Sequence, residues 1–274
     1  MADAGSLRDR VCVVTGASRG AGRGIAVELG ARGAAVYVTA RTLGAPGDER
    51  GSLEETVEQV RDAGGVASAV RCDHTSERDV AALFARVAAE RGRLDVLVNN
   101  AWGGYEQRWP EVPFFDAPFW EQPLWRWEAM FTAGVRSTFL SAKQAAPLLI
   151  AERSDSAGLI VNTIAWAFGA YLGNVIYDTA KAATARLAFG TAEELRGHRV
   201  TAVALALGHL GVSESPRYGG RAIAALARDP DLMDKSGQLL TAGGLGREYD
   251  FTDVDGTQPE AFALPERQAG PGRE

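Results

Sequence analysis

A glycine-rich segment between a predicted strand and a predicted helix constrains the fold of this chain more than any other feature. Residues 15–22 read TGASRGAG, directly after the apolar run 11–14 and at the start of a helical pattern over 22–32. Glycines allow a tight turn close to a pyrophosphate, and amides at a helix N-terminus attract phosphate. The segment therefore predicts a nucleotide-binding loop. Its predicted contact residues are Gly16, Ser18, Arg19, Gly20, Ala21 and Gly22.

Apolar, β-branched runs alternate with longer helical patterns along the rest of the chain. Such alternation is typical of parallel strands covered by helices on both faces. With 274 residues, 46% of them hydrophobic, the chain can bury a large core as one unit. We expect an α/β fold with a single doubly wound, Rossmann-like domain over residues 1–274. Strands are predicted at 11–14, 35–40, 67–72, 94–98, 159–163, 201–206 and 238–241, and helices at 22–32, 53–63, 77–91, 125–150 and 177–195.

Two segments interrupt this alternation. Residues 102–127 contain nine aromatic side chains and four prolines, which exclude a regular helix across 110–123. We expect this aromatic insertion to wall a pocket for a bulky apolar substrate, although packing on the long helix is the alternative for many of its rings. The chain after Arg247 is rich in glycine, proline and acidic residues, and its last dozen positions are predicted to be mobile.

The charge and cysteine content narrow the class of partner. A formal net charge of -6 and a pI of about 5.3 give no reason to expect nucleic acid or an acidic membrane surface. No apolar run reaches the roughly 18 residues of a membrane span, and no signal peptide is recognisable, so we expect a cytoplasmic protein with a small-molecule substrate. Cys12 and Cys72 are predicted to be buried, reduced thiols without metal-ligand spacing, so no metal is expected.

The end of the second predicted strand favours NADP(H) over NAD(H). This strand ends at Ala40, where an acidic residue usually binds the ribose 2′-hydroxyl of NAD. Arg41 follows at once, and Arg19 lies in the glycine-rich loop. Two guanidinium groups can bind a 2′-phosphate through charged hydrogen bonds. The alternative is that both arginines are merely solvated.

A tyrosine and a lysine stand four residues apart on a predicted helix. The spacing of Tyr177 and Lys181 places both on one helix face. Together with the glycine-rich loop and the order of motifs from Val11 to Gly244, this pair resembles the short-chain dehydrogenase/reductase family. The segments GASRGAGRGIA and LDVLVNNAW resemble in particular its mammalian member 1 type and actinobacterial relatives. The resemblance implies a seven-stranded parallel sheet and an NADP(H)-dependent oxidoreductase.

The same resemblance implies roles for individual residues. Tyr177 would give or take the proton on the substrate oxygen, and Lys181 would promote ionisation of the Tyr177 phenol. Both residues would also contact the cofactor. Asp73 would meet the adenine, and Asn99 and Ala101 would lie near the adenine ribose. Gly208 would form the turn after the sixth strand. The family's usual assembly implies a homodimer or homotetramer, built from apolar faces over 133–149 and 180–189.

Several positions depart from the family pattern. The expected catalytic serine corresponds to Ile164 or Ala165, which leaves the Thr163 hydroxyl as a substitute and a third candidate catalytic residue. The expected asparagine of the long helix corresponds to Gly134, and Trp102 replaces a glycine after the fourth strand.

Near the nicotinamide side, Leu207 replaces the proline before Gly208, and Val212, with Ser213 beside it, replaces a threonine. His209 is the one histidine expected near this side. The leading hypothesis is reduction of a carbonyl, or oxidation of an alcohol, on a bulky apolar molecule. The alternatives are a non-redox enzyme, such as a cyclase, dehydratase or isomerase, and an NADP(H)-binding regulatory protein.

Overall fold

Seven parallel strands form one sheet in a computed structural model, which describes residues 6–44, 51–104, 112–115, 117–151, 157–165, 171–208 and 213–261. The strands are β1 (Val11–Thr15), β2 (Ala35–Ala40), β3 (Val66–Arg71), β4 (Val96–Asn99), β5 (Gly158–Ile164), β6 (Val200–Ala206) and β7 (Leu239–Thr241). Their order is β3-β2-β1-β4-β5-β6-β7, which confirms the predicted fold class. The order reverses between β1 and β4, and ligands bind beyond the carboxyl ends of the strands at such a point.

Helices cover both faces of the sheet. They are α1 (Gly20–Ala31), α2 (Leu53–Asp62), α3 (Glu77–Arg91), α4 (Leu124–Met130), α5 (Ser137–Ile150), α6 (Val175–Leu195), α7 (Tyr218–Leu226) and α8 (Ala242–Glu248). Ser52 and Ser76 start α2 and α3 by accepting hydrogen bonds from the main-chain N–H groups of Glu55 and Asp79. Among the described residues, no helix combines the length and apolar character needed to cross a membrane.

The predicted long helix over 125–150 is helical throughout, from Leu124 to Ile150, but it contains a π-helical segment that the sequence pattern does not predict. A π-helical segment, Phe131–Arg136, separates α4 from α5. Such segments occur often at functional sites, and this one includes Gly134. Pro123 immediately precedes α4, and Phe119–Glu121 forms a 3-10 turn. The described part of the aromatic insertion therefore contains no regular helix before residue 124, as the prolines predict.

Side chains of the strands alternate between two apolar cores. On β1, Cys12 and Val14 belong to the core shared with α1 and α7, while Val11 and Val13 belong to the core on the other face. Cys12 and Cys72 are buried and free, as predicted, and burial raises the pKa of the Cys72 thiol to about 12. The single-domain assignment stays a prediction, and the predicted mobile tail lies outside the described residues.

Candidate active site

The glycine-rich loop joins β1 to α1 at the point where the strand order reverses. Gly16 and Gly20 have φ angles of +65° and +55°, in the left-handed region that favours glycine. A Cβ on Gly16 would lie 2.8 Å from Ala101 Cα, and a Cβ on Gly22 would lie 2.4 Å from the Gly16 carbonyl oxygen. Neither position has room for a side chain. Because these glycines carry none, the main-chain amides of the loop can approach a pyrophosphate closely.

Thr15 and Asn100 tie this loop to the end of β4. Thr15 Oγ1 accepts hydrogen bonds from the main-chain N–H groups of Asn100 and Ala101, both at 2.9 Å. The Asn100 Nδ2 group donates to the carbonyl oxygens of Thr15 and Gly16 at 3.1 and 3.2 Å. Asn100 therefore shapes the loop from the neighbouring strand. The sequence pattern does not indicate this role, because alternation along a strand identifies a face and not a hydrogen-bond partner.

Two predicted cofactor contacts, Asn99 and Asp73, have protein partners for their side chains. Asn99 Nδ2 donates to Asn162 Oδ1 at 2.9 Å inside the sheet. Asp73 Oδ1 accepts from the main-chain N–H and the hydroxyl of Thr75, at 2.9 and 2.7 Å, in the turn before α3. Asn99 Oδ1 is buried and has no hydrogen-bond partner among the described residues, whereas the Asn99 carbonyl oxygen accepts from Thr163 Oγ1. Asp73 stays a predicted adenine contact at the end of β3.

Arg19 and Arg41, the predicted 2′-phosphate ligands, are both exposed. Arg19 is the N-cap residue of α1, and Arg41 directly follows β2. Because β1 and β2 pair in parallel, both arginines stand at the same edge of the sheet as the glycine-rich loop. This edge presents positive charge, and β2 ends there with Ala40 instead of an acidic residue.

Tyr177 and Lys181 lie one turn apart on α6, beside the end of β5. Lys181 is 7% exposed, and burial lowers the pKa of its ammonium to about 7. Its Nζ lies 3.5 Å from the carbonyl oxygen of Thr163 and 5.7 Å from the centroid of the Tyr177 ring. The structure thus brings the predicted phenol and ammonium together. A lysine in this state holds or releases a proton near neutral pH.

Trp102 covers this pair. Lys181 Nζ lies 3.7 Å from the centroid of the indole, and the Tyr177 ring meets the indole edge-on with centroids 5.5 Å apart. The indole lies against Gly134, where a Cβ would be 2.4 Å from its Cζ3 atom. Two separate departures from the family pattern, Trp102 and Gly134, are therefore in direct contact. The sequence identifies both positions but not this contact.

Phe114 is another aromatic neighbour of Tyr177, with ring centroids 5.7 Å apart. Asn174, the N-cap residue of α6, donates from Nδ2 to the carbonyl oxygen of Phe114 at 2.7 Å. Arg126 donates to the two carbonyl oxygens of residues 112–113, at 2.7 and 3.0 Å. These bonds fix the described part of the aromatic insertion beside Tyr177. The insertion's residues 105–111 and 116 lie outside the described parts of the chain.

The end of β5 separates the two candidate positions for a serine. Ile164 is 3% exposed and packs in a core cluster with alanines of α6. Ala165, the next residue, is half-buried just beyond the strand. Thr163 Oγ1 donates to the carbonyl oxygen of Asn99 at 3.3 Å. Ile164 therefore points into the core, and Ala165 is the better position for a hydroxyl. The Thr163 hydroxyl has a partner on the neighbouring strand.

A buried carboxyl group stands beside Gly208, the predicted turn residue after β6. The Gly208 N–H donates to Glu214 Oε2 at 3.0 Å. Glu214 is 4% exposed, and burial raises its pKa. No pattern in the sequence indicates this residue, because residues 209–214 show neither helical nor strand periodicity. Val212 and His209 lie outside the described residues, so the predicted role of His209 has no structural description.

The chain matches the short chain dehydrogenase family over residues 10–215. It is 35% identical over 280 residues to dehydrogenase/reductase SDR family member 1 of Mus musculus, a match that covers 91% of this chain and 85% of the mouse protein. It is 38% identical over 219 residues to cis-4-hydroxycyclohexanecarboxylate dehydrogenase of Sinomonas cyclohexanicum, with 78% of each chain covered.

A solved structure also resembles this chain. A metagenomic short-chain oxidoreductase, crystallised in complex with NADP, is 31% identical and superimposes with a TM-score of 0.70. The match covers 86% of this chain and 97% of the metagenomic protein.

Proposed function

Because the chain belongs to the short-chain dehydrogenase/reductase family, we propose that it is an NADP(H)-dependent oxidoreductase acting on a bulky apolar small molecule. It would reduce a carbonyl group or oxidise the corresponding alcohol. The observation that carries this proposal is the approach of the buried Lys181 ammonium to the phenol ring of Tyr177. In this arrangement Tyr177 transfers a proton to or from the substrate oxygen. The charged form of Lys181 stabilises the phenolate that remains.

The residues around the glycine-rich loop fit a nicotinamide dinucleotide. The loop leaves no room for a Cβ at Gly16 or Gly22, so main-chain amides can approach a pyrophosphate closely. A bound nicotinamide cofactor supplies or accepts the hydride. Tyr177 and Lys181, at the carboxyl end of the sheet, would also contact its ribose.

Preference for the phosphorylated cofactor rests on the two exposed arginines. Arg19 and Arg41 stand at the edge of the sheet where β2 ends at Ala40. A carboxylate at this position would repel a 2′-phosphate, whereas guanidinium groups attract it. The metagenomic relative described above binds NADP, which supports the same choice. The arginines would recognise the phosphate by charge and by paired hydrogen bonds.

A bulky apolar substrate is supported by the aromatic neighbours of Tyr177. Trp102 and Phe114 both meet its ring edge-on, at 5.5 and 5.7 Å between centroids. These rings would pack against apolar parts of the substrate while its oxygen faces the Tyr177 hydroxyl.

One observation favours non-redox chemistry as a second candidate. Ala165 offers no hydroxyl to polarise a carbonyl group, and the Thr163 hydroxyl already donates to Asn99. A missing donor of this kind raises a barrier by about 3 kcal/mol. A cyclase, dehydratase or isomerase on the same fold would use Tyr177 and Lys181 for proton transfer alone. A regulatory protein that binds NADP(H) without turnover is the third candidate.

The test combines cofactor binding with turnover. NADPH and NADH are titrated by fluorescence, and NADPH oxidation is then followed against a panel of bulky ketones and quinones. We expect tighter binding of NADPH and turnover that falls by about a factor of 10² to 10⁴ in Tyr177→Phe. Tyr171→Phe, which changes an exposed tyrosine before α6, is the matched control. Binding without NADPH oxidation would instead favour the non-redox or regulatory candidates, and absence of binding would overturn the cofactor assignment.

We further propose that the chain forms a homodimer or homotetramer through α5 and α6. Phe139 on α5 and Phe189 on α6 are 53% and 38% exposed, so both helices offer aromatic surface that a second copy of the chain would cover. Light scattering after size exclusion measures the assembly. Phe139→Lys with Phe189→Lys should release monomers, and an unchanged mass would argue against these faces.

A further inference from the structure

Trp102 makes contacts that its place in a loop after β4 does not require. We propose that Trp102 is a positioning residue, which holds Lys181 and Tyr177 in their working arrangement, and that Gly134 makes this possible by leaving room for the indole. The inference rests on the proposed function of Tyr177 and Lys181. It adds a residue of the aromatic insertion to the machinery of proton transfer.

Contacts on two sides define the place of the Lys181 ammonium. The indole of Trp102 covers Nζ at 3.7 Å from its centroid, and the carbonyl oxygen of Thr163 lies 3.5 Å from Nζ. The negative face of the indole and the carbonyl oxygen both favour the charged form. A lysine side chain has four rotatable bonds, so two separate contacts are needed to fix its end. If the indole were removed, the Lys181 ammonium would keep its contact with the Thr163 carbonyl oxygen and would lose the ring face that covers it.

The same indole also restrains the phenol. The ring planes of Trp102 and Tyr177 are 89° apart with centroids separated by 5.5 Å, an edge-to-face arrangement that is favourable between aromatic rings. Among the described residues, Tyr177 is the titratable side chain that lies beside Lys181. The pKa of Lys181 is lowered by burial, not by a neighbouring charge. Trp102 therefore contacts both members of the proton-transfer pair.

Gly134 is the complementary half of this arrangement. A Cβ at this position would lie 2.4 Å from Cζ3 and 2.7 Å from Cε3 of Trp102. The loop packs closely on the helix beside Gly134 as well, since a Cβ on Gly103 would lie 3.0 Å from the Ala133 side chain. Even alanine at position 134 would therefore displace the indole.

The first experiment reads the position of Lys181 without any need for activity. The chain has three lysines, Lys143, Lys181 and Lys235, so lysine labelled with ¹³C at Cε gives a spectrum simple enough to assign with Lys181→Met. Protons above the face of an aromatic ring are shifted upfield. We expect this shift at Lys181 in the wild type and in Trp102→Phe, and its loss in Trp102→Leu and Gly134→Ala. An unchanged Lys181 signal in Trp102→Leu overturns the proposal even if no substrate is ever found.

The second experiment separates positioning from folding and from cofactor binding. In Trp102→Leu we expect kcat to fall by about tenfold with the Kd for NADPH little changed, and Trp102→Phe to recover most of the loss in kcat. Loss of the ring face should also lower the pH at which Lys181 titrates in the NMR spectrum. Equal kcat values for the Leu and Phe variants would contradict a role of the aromatic face.

Gly134 is tested with a double-mutant cycle. Gly134→Ala should lower both thermal stability and kcat, because the methyl group and the indole compete for the same space. Adding Trp102→Gly should restore much of the stability but not kcat, because the clash is removed and the indole is still missing. Additive losses of stability would show that the two residues do not share this space. If the wild type oxidises no NADPH, the proposed redox function fails, while the NMR and stability results still decide the positioning role.

Discussion

Asn174 joins the aromatic insertion to the helix that carries Tyr177. Its Nδ2 donates to the carbonyl oxygen of Phe114 at 2.7 Å, while its Oδ1 accepts from the main-chain N–H groups of Ile176 and Tyr177 at 3.0 Å. One fully buried amide thus caps α6 and fixes the segment that packs a ring against the phenol. The start of α6 and the packing of Phe114 against the Tyr177 ring depend on the same side chain.

The hydrogen bond that Asn174 donates and the two that it accepts can be separated by substitution. Asn174→Ala removes all three and should lower the free energy of unfolding by at least the roughly 1 kcal/mol of a lost helix cap. Asn174→Asp keeps the capping oxygen and loses the donor to Phe114. We expect both variants to lower kcat/KM for bulky substrates, and the alanine variant to lose more thermal stability. If the aspartate variant keeps full kcat/KM, the bond to Phe114 does not shape the pocket.

Cofactor discrimination should depend on Arg19 and Arg41. Replacing either by alanine should raise the Kd for NADPH by about tenfold, the effect of losing a charge-assisted hydrogen bond, and leave the Kd for NADH nearly unchanged. Arg78→Ala is the control, since the Arg78 side chain is 93% exposed on α3. The difference between NADPH and NADH should shrink as salt is added. Equal losses for both cofactors would point to a general role in loop structure.

A hydroxyl introduced at the end of β5 should increase redox turnover. In Ala165→Ser we expect a higher rate of NADPH oxidation, by up to about a hundredfold if the new donor meets the substrate oxygen. Ile164→Ser is the matched control for register, because Ile164 is 3% exposed in the core and a serine there should only destabilise the fold. A correctly folded Ala165→Ser enzyme without any gain would argue against redox chemistry or against this register.

The bracing of the glycine-rich loop by Thr15 is also testable. Thr15→Val leaves the half-buried N–H groups of Asn100 and Ala101 without their acceptor, at a cost of about 1 kcal/mol for each group. We expect lower stability and weaker NADPH binding. Thr15→Ser keeps the hydroxyl and should behave like the wild type in both measurements. Weaker binding in both variants would assign the effect to packing of the methyl group.

The sheet could be predicted from the sequence because its strands are buried on both faces. Such strands form nearly continuous apolar runs, and β2 was placed without error over Ala35–Ala40. Helices α7 and α8 were missed for a physical reason. Helix α7 begins YGGR and α8 reads AGGLGRE, and glycine is a poor helix former, so neither short segment has the composition of a strong helix.

The candidate site was predictable where one short segment carries the information. Tyr177 and Lys181 have a spacing that places them on one helix face, and the loop glycines follow a strand directly. The contacts of Trp102 with Gly134 and of Glu214 with Gly208 were not predictable, because each depends on how distant or irregular segments fold back. Trp102 and Gly134 both depart from the family pattern, but a departure at a position does not say which residue that position contacts.

The last prediction concerns a buried histidine that the proposed reaction does not use. His74 Nε2 lies 2.7 Å from Thr39 Oγ1 on β2, and Nδ1 lies 3.2 Å from Ser141 Oγ on α5. Burial lowers the pKa of His74 to about 4 from the 6.5 of a free histidine. Between these pH values the unfolded chain binds a proton that the folded chain does not. Stability from this group is therefore present above pH 6.5 and lost as the pH falls towards 4, by about 3 kcal/mol over the window.

Urea unfolding at pH 7.5, 6.0 and 5.0 measures this loss against two variants. In His74→Asn the site no longer titrates, so the stability advantage of the wild type should shrink steadily as the pH is lowered. His198→Asn changes an exposed histidine at the end of α6, and its curve should run parallel to that of the wild type. If the wild type and His74→Asn instead lose stability in parallel, His74 is protonated in the folded protein, and its network with Thr39 and Ser141 accommodates the charge.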